Sequence, residues 1–159
     1  MELHIRKKNI MKKPEIEIDE DGNRRWYLDR ELHRVDGPAV EWSNGYKEWW
    51  LNGKLNRVDG PAIEYADGTK HWYLNGKRHR VNGPAIEWSD GSRFWYLNGK
   101  LHRIDGPAVE CVNGNRFWWL NYKRHRVDGP ASEWSDGSRV WFLDGVEYTE
   151  EEYNEKIRA

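Results

Sequence analysis

The chain has 159 residues, enough for one domain with its own core. Its formal net charge of −1 provides no overall field toward nucleic acid or an anionic membrane. The single cysteine, Cys111, rules out an intrachain disulfide. No apolar run reaches signal-peptide or membrane-spanning length, so a cytoplasmic location, in the protein's own cell or a host cell, is expected. Aromatic residues make up 14% of the chain, with 11 Trp, so rings must supply much of the apolar area.

In chain order, residues 1–14 read as a basic segment, with Arg6, Lys7, Lys8, Lys12 and Lys13 against Glu2. Glu15-Ile16-Glu17-Ile18-Asp19 alternates with the two-residue period of a strand. From there a unit of 23 residues recurs, marked by Gly37-Pro38-Ala39, Gly60-Pro61-Ala62, Gly83-Pro84-Ala85, Gly106-Pro107-Ala108 and Gly129-Pro130-Ala131. A fixed period this short implies one supersecondary unit stacked on copies of itself. The expected fold is all-β: an elongated array of antiparallel β-hairpins over residues 15–146, a twisted ribbon or solenoid, closed by a short helix within an acidic segment, 147–159. The basic head and acidic tail are complementary, so the array ends are candidate homo-oligomer contacts.

Within residues 37–59, Pro38–Trp42 reads as a strand and Tyr46–Leu51 as its return. Asn44-Gly45 between them predicts a type I′ corner, with Asp67-Gly68, Asp90-Gly91, Asn113-Gly114 and Asp136-Gly137 as its copies. A second corner follows at Asn52-Gly53. Arg30 and Tyr122 replace the glycine of that second corner, so differently shaped turns are expected there. Lys54–Val58 is then a third short strand or a connector. Leu55, Leu101, Val58, Val81, Ile104 and Val127 are expected to point inward along the seam between units. Ser132 stands where other units place Val40, Ile63, Ile86 and Val109, which predicts shallower burial near the end. Thr149 and Glu152 form a capping box, predicting a helix over about 150–157 with Tyr153 and Ile157 facing the last hairpin.

The 23-residue unit, the phased aromatic strand and the basic turns Asn75-Gly76-Lys77-Arg78-His79 and Asn98-Gly99-Lys100-Leu101-His102 resemble MORN-type repeats across residues 15–145. The Gly-Pro-Ala variant is closer to divergent bacterial, phage and viral versions. Standard MORN units place Gly soon after that His, where this chain has Arg80 or Arg103, and they favour a Tyr-x-Gly strand that is absent here. The resemblance implies an elongated antiparallel β structure with binding or scaffolding roles. It implies no catalytic residues.

The recurring His-Arg pairs, at His33-Arg34, His79-Arg80, His102-Arg103 and His125-Arg126, occur once per unit. Catalysis and metal binding need asymmetric, converging groups, so no enzyme activity, metal or cofactor is expected. The reading is that Arg pairs with a carboxylate and stacks on a ring, while His or Asn caps a turn. The aspartates before the repeat glycines read as Asx-turn formers. The ring stripe Tyr27, Trp50, Tyr73, Tyr96, Trp119 and Phe142, interleaved with Arg57, Arg80 and Arg103, is the candidate binding surface, core being the competing reading for the rings. The expected function is non-enzymatic: a protein-binding scaffold or inhibitor encoded by a phage or virus. The rival is a glycan- or nucleic-acid-binding module that uses the rings as a stacking platform.

Overall fold

The computed structural model describes residues 12–158, so most of the basic N-terminal segment lies outside the described residues. The described chain is an elongated all-β array of repeated antiparallel hairpins with one short C-terminal helix. Each unit contributes two hairpins rather than one. The first, Val40–Glu41 with Lys47–Glu48, belongs to a continuous sheet. The second, Trp50–Leu51 with Lys54–Leu55, stands beside that sheet as a separate two-stranded piece.

The expected return strand Tyr46–Leu51 is therefore broken at Trp49. Its N–H donates to Ala62 O of the next unit (2.9 Å), and its C=O accepts from Asn56 N (2.9 Å). Trp49 thus turns the chain out of the sheet while both of its backbone groups stay satisfied.

The units join at two levels. In the sheet, Lys47–Glu48 pairs antiparallel with Ile63–Glu64 of the next unit, and Lys70–His71 repeats this with Ile86–Glu87. Beside it, Arg34 N donates to Trp50 O (3.0 Å) and Gly53 N donates to Leu32 O (3.1 Å). The same pair of bonds returns at each junction up to Arg126–Phe142 and Gly145–Arg124. Ala39, Ala62, Ala85, Ala108 and Ala131 are fully buried, because adjacent units meet there with room for a methyl group alone.

The first corner is not the type I′ turn expected of it. In the sheet hairpin only glycine takes positive φ (Gly45, 93°). Gly45 N bonds Trp42 O, and Trp42 N bonds Tyr46 O, which is a three-residue loop with a glycine bulge. Asn44 Oδ1 accepts from Tyr46 N (2.9 Å), so the Asn or Asp here serves as an Asx turn. The type I′ turn is the second corner, where Asn52 (φ 49°) and Gly53 (φ 67°) are both left-handed. Arg30 (φ 70°) and Tyr122 (φ 69°) adopt the same geometry, contrary to the expectation of a different shape. Closure by the flanking bonds, such as Tyr122 N to Leu101 O (2.9 Å), outweighs the strain of a side chain at positive φ.

The helix spans Glu150–Arg158, and its capping box forms. Thr149 Oγ1 accepts from Glu152 N (3.2 Å), and Glu152 Oε2 accepts from Thr149 N (2.9 Å). Tyr153 is buried; its hydroxyl accepts from Gly129 N and donates to Arg126 O, each at 3.0 Å. Ile157 is exposed; Tyr153 is the helix side chain that is buried against the array. Ser132 is fully buried: it is paired on one side with Phe117 and on the other with Val140, so nearness to the end does not thin its packing. At the other end Glu15–Ile18 pairs with Arg24–Tyr27 as an edge strand, with Ile16 and Ile18 exposed.

Candidate functional site

Alternation along the strands divides the side chains between two long faces. One carries the repeat loops, the other most of the exposed rings.

On the loop face, Arg34, Arg57, Arg80, Arg103 and Arg126 each lie over a Trp ring, with the guanidinium carbon 3.9–4.0 Å from the ring centroid. Arg57 also bonds Asp59 (3.1 Å), Pro61 O (3.1 Å) and Glu64 (3.0 Å). A planar fork satisfies three acceptors and a ring face at once, which an ammonium cannot do. The repeat glycine makes room for this. A Cβ at Gly60 would lie 2.8 Å from Arg57 Cζ, so close approach, not backbone conformation, requires glycine there. The histidines cap the second corner of the following unit: Asn98 N donates to His79 Nδ1 and Asn121 N to His102 Nδ1, each at 3.2 Å. Asn56 Oδ1 does the same for Asn75 N (2.9 Å).

Folding the arginine beneath the loop pushes the next residue out. Val35, Val58, Val81, Ile104 and Val127 are between 61% and 86% exposed. This overturns the expectation that Val58, Val81, Ile104 and Val127 seal the seam; Leu55 and Leu101 are half-buried. Between successive loops open clefts of about 420, 600 and 580 Å³, each with an indole in its wall: Trp49, Trp72 and Trp95 in turn. The loop face is thus a row of aliphatic knobs alternating with aromatic-walled clefts.

The opposite face gathers rings from both hairpin types. Trp42, Tyr46, Tyr65, His71, Trp88 and Phe94 run edge to face, with successive centroids 5.1–6.4 Å apart. Cys111 takes the next indole position, and burial pushes its thiol pKa up. Ring pairing resumes at Phe117–Trp134 (5.5 Å). The predicted stripe Tyr27, Trp50, Tyr73, Tyr96, Trp119 and Phe142 borders this file and is half-buried throughout. Its interleaved cations are Arg78, between Tyr73 and Tyr96 (5.8 and 5.5 Å), and Arg124, between Trp119 and Phe142 (5.4 and 5.2 Å). Arg57, Arg80 and Arg103 lie on the other face. Arg78 and Arg124 are visible in sequence as the departures from leucine in the column Leu32, Leu55, Arg78, Leu101, Arg124.

On the ring face lies an open cavity of about 720 Å³, lined by Tyr27, Trp42, Tyr46, Glu48, Tyr65 and Ala66 among others. It lies where the repeat departs from its own pattern. The column of Tyr46 otherwise holds Asn23, Thr69, Ser92, Asn115 and Ser138. Asn23, Thr69, Ser92 and Asn115 each reach from one corner to the next: Asn23 Oδ1 accepts from Ser43 N (2.9 Å), Thr69 Oγ1 from Ser89 N (3.1 Å), Ser92 Oγ from Val112 N (3.0 Å) and Asn115 Oδ1 from Ser135 N (2.9 Å). Tyr46 instead turns its hydroxyl to Glu48, and the cavity opens beside Ala66, the residue equivalent to those donors. Glu48 also accepts from Trp50 Nε1 (2.7 Å). Burial, and then the Glu48 hydrogen bond, raise the Tyr46 phenol far above its ordinary pKa.

Among the described residues no group of three or more His, Cys, Asp or Glu side chains is placed to hold a metal ion. No described helix is long and apolar enough to cross a membrane. No protein-family model matches the chain, and no curated protein matches it.

Proposed function

We propose that this chain is a MORN-like repeat array that acts as a non-enzymatic protein-binding scaffold or inhibitor, phage- or virus-encoded and working in the cytoplasm of its own or a host cell. The observation that carries the reading is the alternation of exposed Val35, Val58, Val81, Ile104 and Val127 with aromatic-walled clefts. Branched aliphatics fixed on a rigid lattice meet a complementary surface at low ordering cost. The neighbouring charges are already paired, Arg57 with Asp59 and Arg103 with Asp105, which favours protein contact over phosphate contact. Nucleic-acid binding through Arg57, Arg80 and Arg103 would have to break those pairs and the Trp stacks. Glycan binding on the ring face remains the rival reading, with Trp50 and Trp119 as its anchors.

The test is a triple variant, Val58→Asp, Val81→Asp and Ile104→Asp. All three positions are solvent-facing, so the fold should tolerate the changes. A protein captured by the parent and reconstituted with it from purified components should fail to bind the variant. If the variant retains its partner while Trp50→Ala and Trp119→Ala lose it, the binding surface is the ring face and the proposal is wrong. Saturable binding of an oligosaccharide or oligonucleotide, with no protein partner reconstituted, would likewise overturn it.

A further inference from the structure

We propose that the cavity at Tyr46 and Glu48 is a binding site for an alkylated ammonium group. The site stands apart from the loop face and does not depend on the reading given for that face. Where a scaffold of identical units gives up a local bond at one position, the departure points to a function. Tyr46 forgoes the corner-to-corner bond that Asn23, Thr69, Ser92 and Asn115 make. Glu48 places a carboxylate in a column that holds Arg25 in the preceding unit and His71, Phe94, Phe117 and Val140 in the following ones. Both departures fall in one unit and line one cavity.

The chemistry of the walls defines the ligand. Trp42 and Tyr46 meet at 6.0 Å with their planes at 85°, and Tyr46 and Tyr65 at 5.1 Å and 62°. Both pairs pack edge to face, and the ring faces that a neighbour's edge leaves open attract a cation. Glu41, Glu64, Glu87, Glu110 and Glu133 each pair with an arginine. Among the described residues Glu48 forms no salt bridge; its partners are the Tyr46 hydroxyl and Trp50 Nε1. It therefore places a carboxylate with no direct ion pair beside the rings. Asp67 adds a second carboxylate to the lining. The cation already present, Arg25, lies 5.8 Å from the Trp42 ring and is drawn toward Asp19 (3.4 Å).

A primary ammonium or a guanidinium needs several acceptors when it leaves water. Glu48 is already occupied by two donors, and the remaining wall is mainly aromatic and aliphatic. An ammonium whose hydrogens are replaced by methyl groups needs no acceptors and spreads its charge over the surface that the rings contact. The shared chemistry is a methylated ammonium, found free in small molecules or on a protein lysine.

The test is titration of the full chain, followed by tryptophan fluorescence and calorimetry, with two cationic probes. These are tetramethylammonium chloride and the Nα-acetyl methylamide of trimethyl-lysine. The neutral tert-butyl isostere of the second probe is the control. Saturable binding of the cations is expected, with the neutral isostere about tenfold weaker or more. Tighter binding of the lysine amide assigns the site to a protein side chain; equal binding of both cations assigns it to a free small molecule. Glu48→Gln keeps shape and should weaken both cations several-fold. Tyr46→Ser installs the residue present at Ser92 and Ser138, so it should abolish binding without lowering thermal stability. Equal affinity for the neutral isostere, no saturable binding, or unchanged affinity in both variants would each overturn the proposal.

Discussion

His71 is a buried imidazole in a repeat column that holds phenylalanine in the next two units, Phe94 and Phe117, and replacing it with Phe isolates its effect on stability. It is 6% exposed and lies 5.2 Å from the Tyr65 ring and 5.6 Å from Trp88. Nε2 has no hydrogen-bond partner among the described residues. Burial, and then the Arg78 charge, lower its pKa from 6.5 to about 4. The folded pKa is the lower of the two, so between those values the unfolded chain takes up a proton that the native state refuses. Stability contributed by the neutral imidazole is therefore complete above pH 6.5, falls as pH falls toward 4, and has gone below it. At about 1.4 kcal/mol per pKa unit the full loss is roughly 3 kcal/mol. Urea denaturation of the parent and of His71→Phe, run at intervals from pH 7 to pH 4, reads this directly. The other five histidines are common to both proteins, so the difference between the two profiles reports His71. Asp67 and Asp136, whose pKa values are lowered by hydrogen bonds from Thr69 and Ser138, contribute stability that is lost only below their ordinary value of 3.8. Their acid limb is thus separate. The variant should also gain about 1 kcal/mol at pH 7, because no polar atom is left unpaired. Parallel profiles between pH 6.5 and 4 would refute the reasoning.

Arg57→Ala should cost about 2–3 kcal/mol in urea denaturation, since it removes the Trp49 stack and the bonds to Pro61 O and Glu64. Asp59→Asn should change stability by about 0.5 kcal/mol or less, because that carboxylate is exposed; Asn82 already occupies the equivalent position beside Arg80. Arg30→Gly should stabilise by about 0.5–1 kcal/mol by relieving a side chain held at positive φ, measured as a rise in the denaturation midpoint. Tyr153→Phe should cost about 1–2 kcal/mol by leaving Gly129 N and Arg126 O without their hydroxyl partner. Backbone chemical shifts should show the helix fraying in that variant while the sheet persists.

The features legible in the sequence are those decided by neighbouring residues. The 23-residue period, the hairpin corners, the Thr149–Glu152 capping box and the fixed-phase rings follow from turn chemistry and strand alternation. The Arg–carboxylate pairing also follows, since Arg57, Asp59 and Glu64 lie within eight residues of one another. Tertiary structure decided what each face meets. Asn-Gly pairs occur at both corners, and closure against the adjoining unit's backbone makes the second one type I′, even where Arg30 or Tyr122 replaces glycine. Val58 and Ile104 look like core residues by type, yet the folded arginine occupies the space beneath the loop and leaves them in solvent. Ser132 looks like an end residue, yet it lies between two paired strands and is buried. The ring stripe and Arg57, Arg80 and Arg103 share a phase in sequence but lie on opposite faces, because Trp49 and its counterparts break the strand and redirect the chain. The Tyr46–Glu48 departure was present in the sequence as a break in two columns. Its significance is spatial, because the cavity is formed by rings from adjacent units and from both kinds of hairpin.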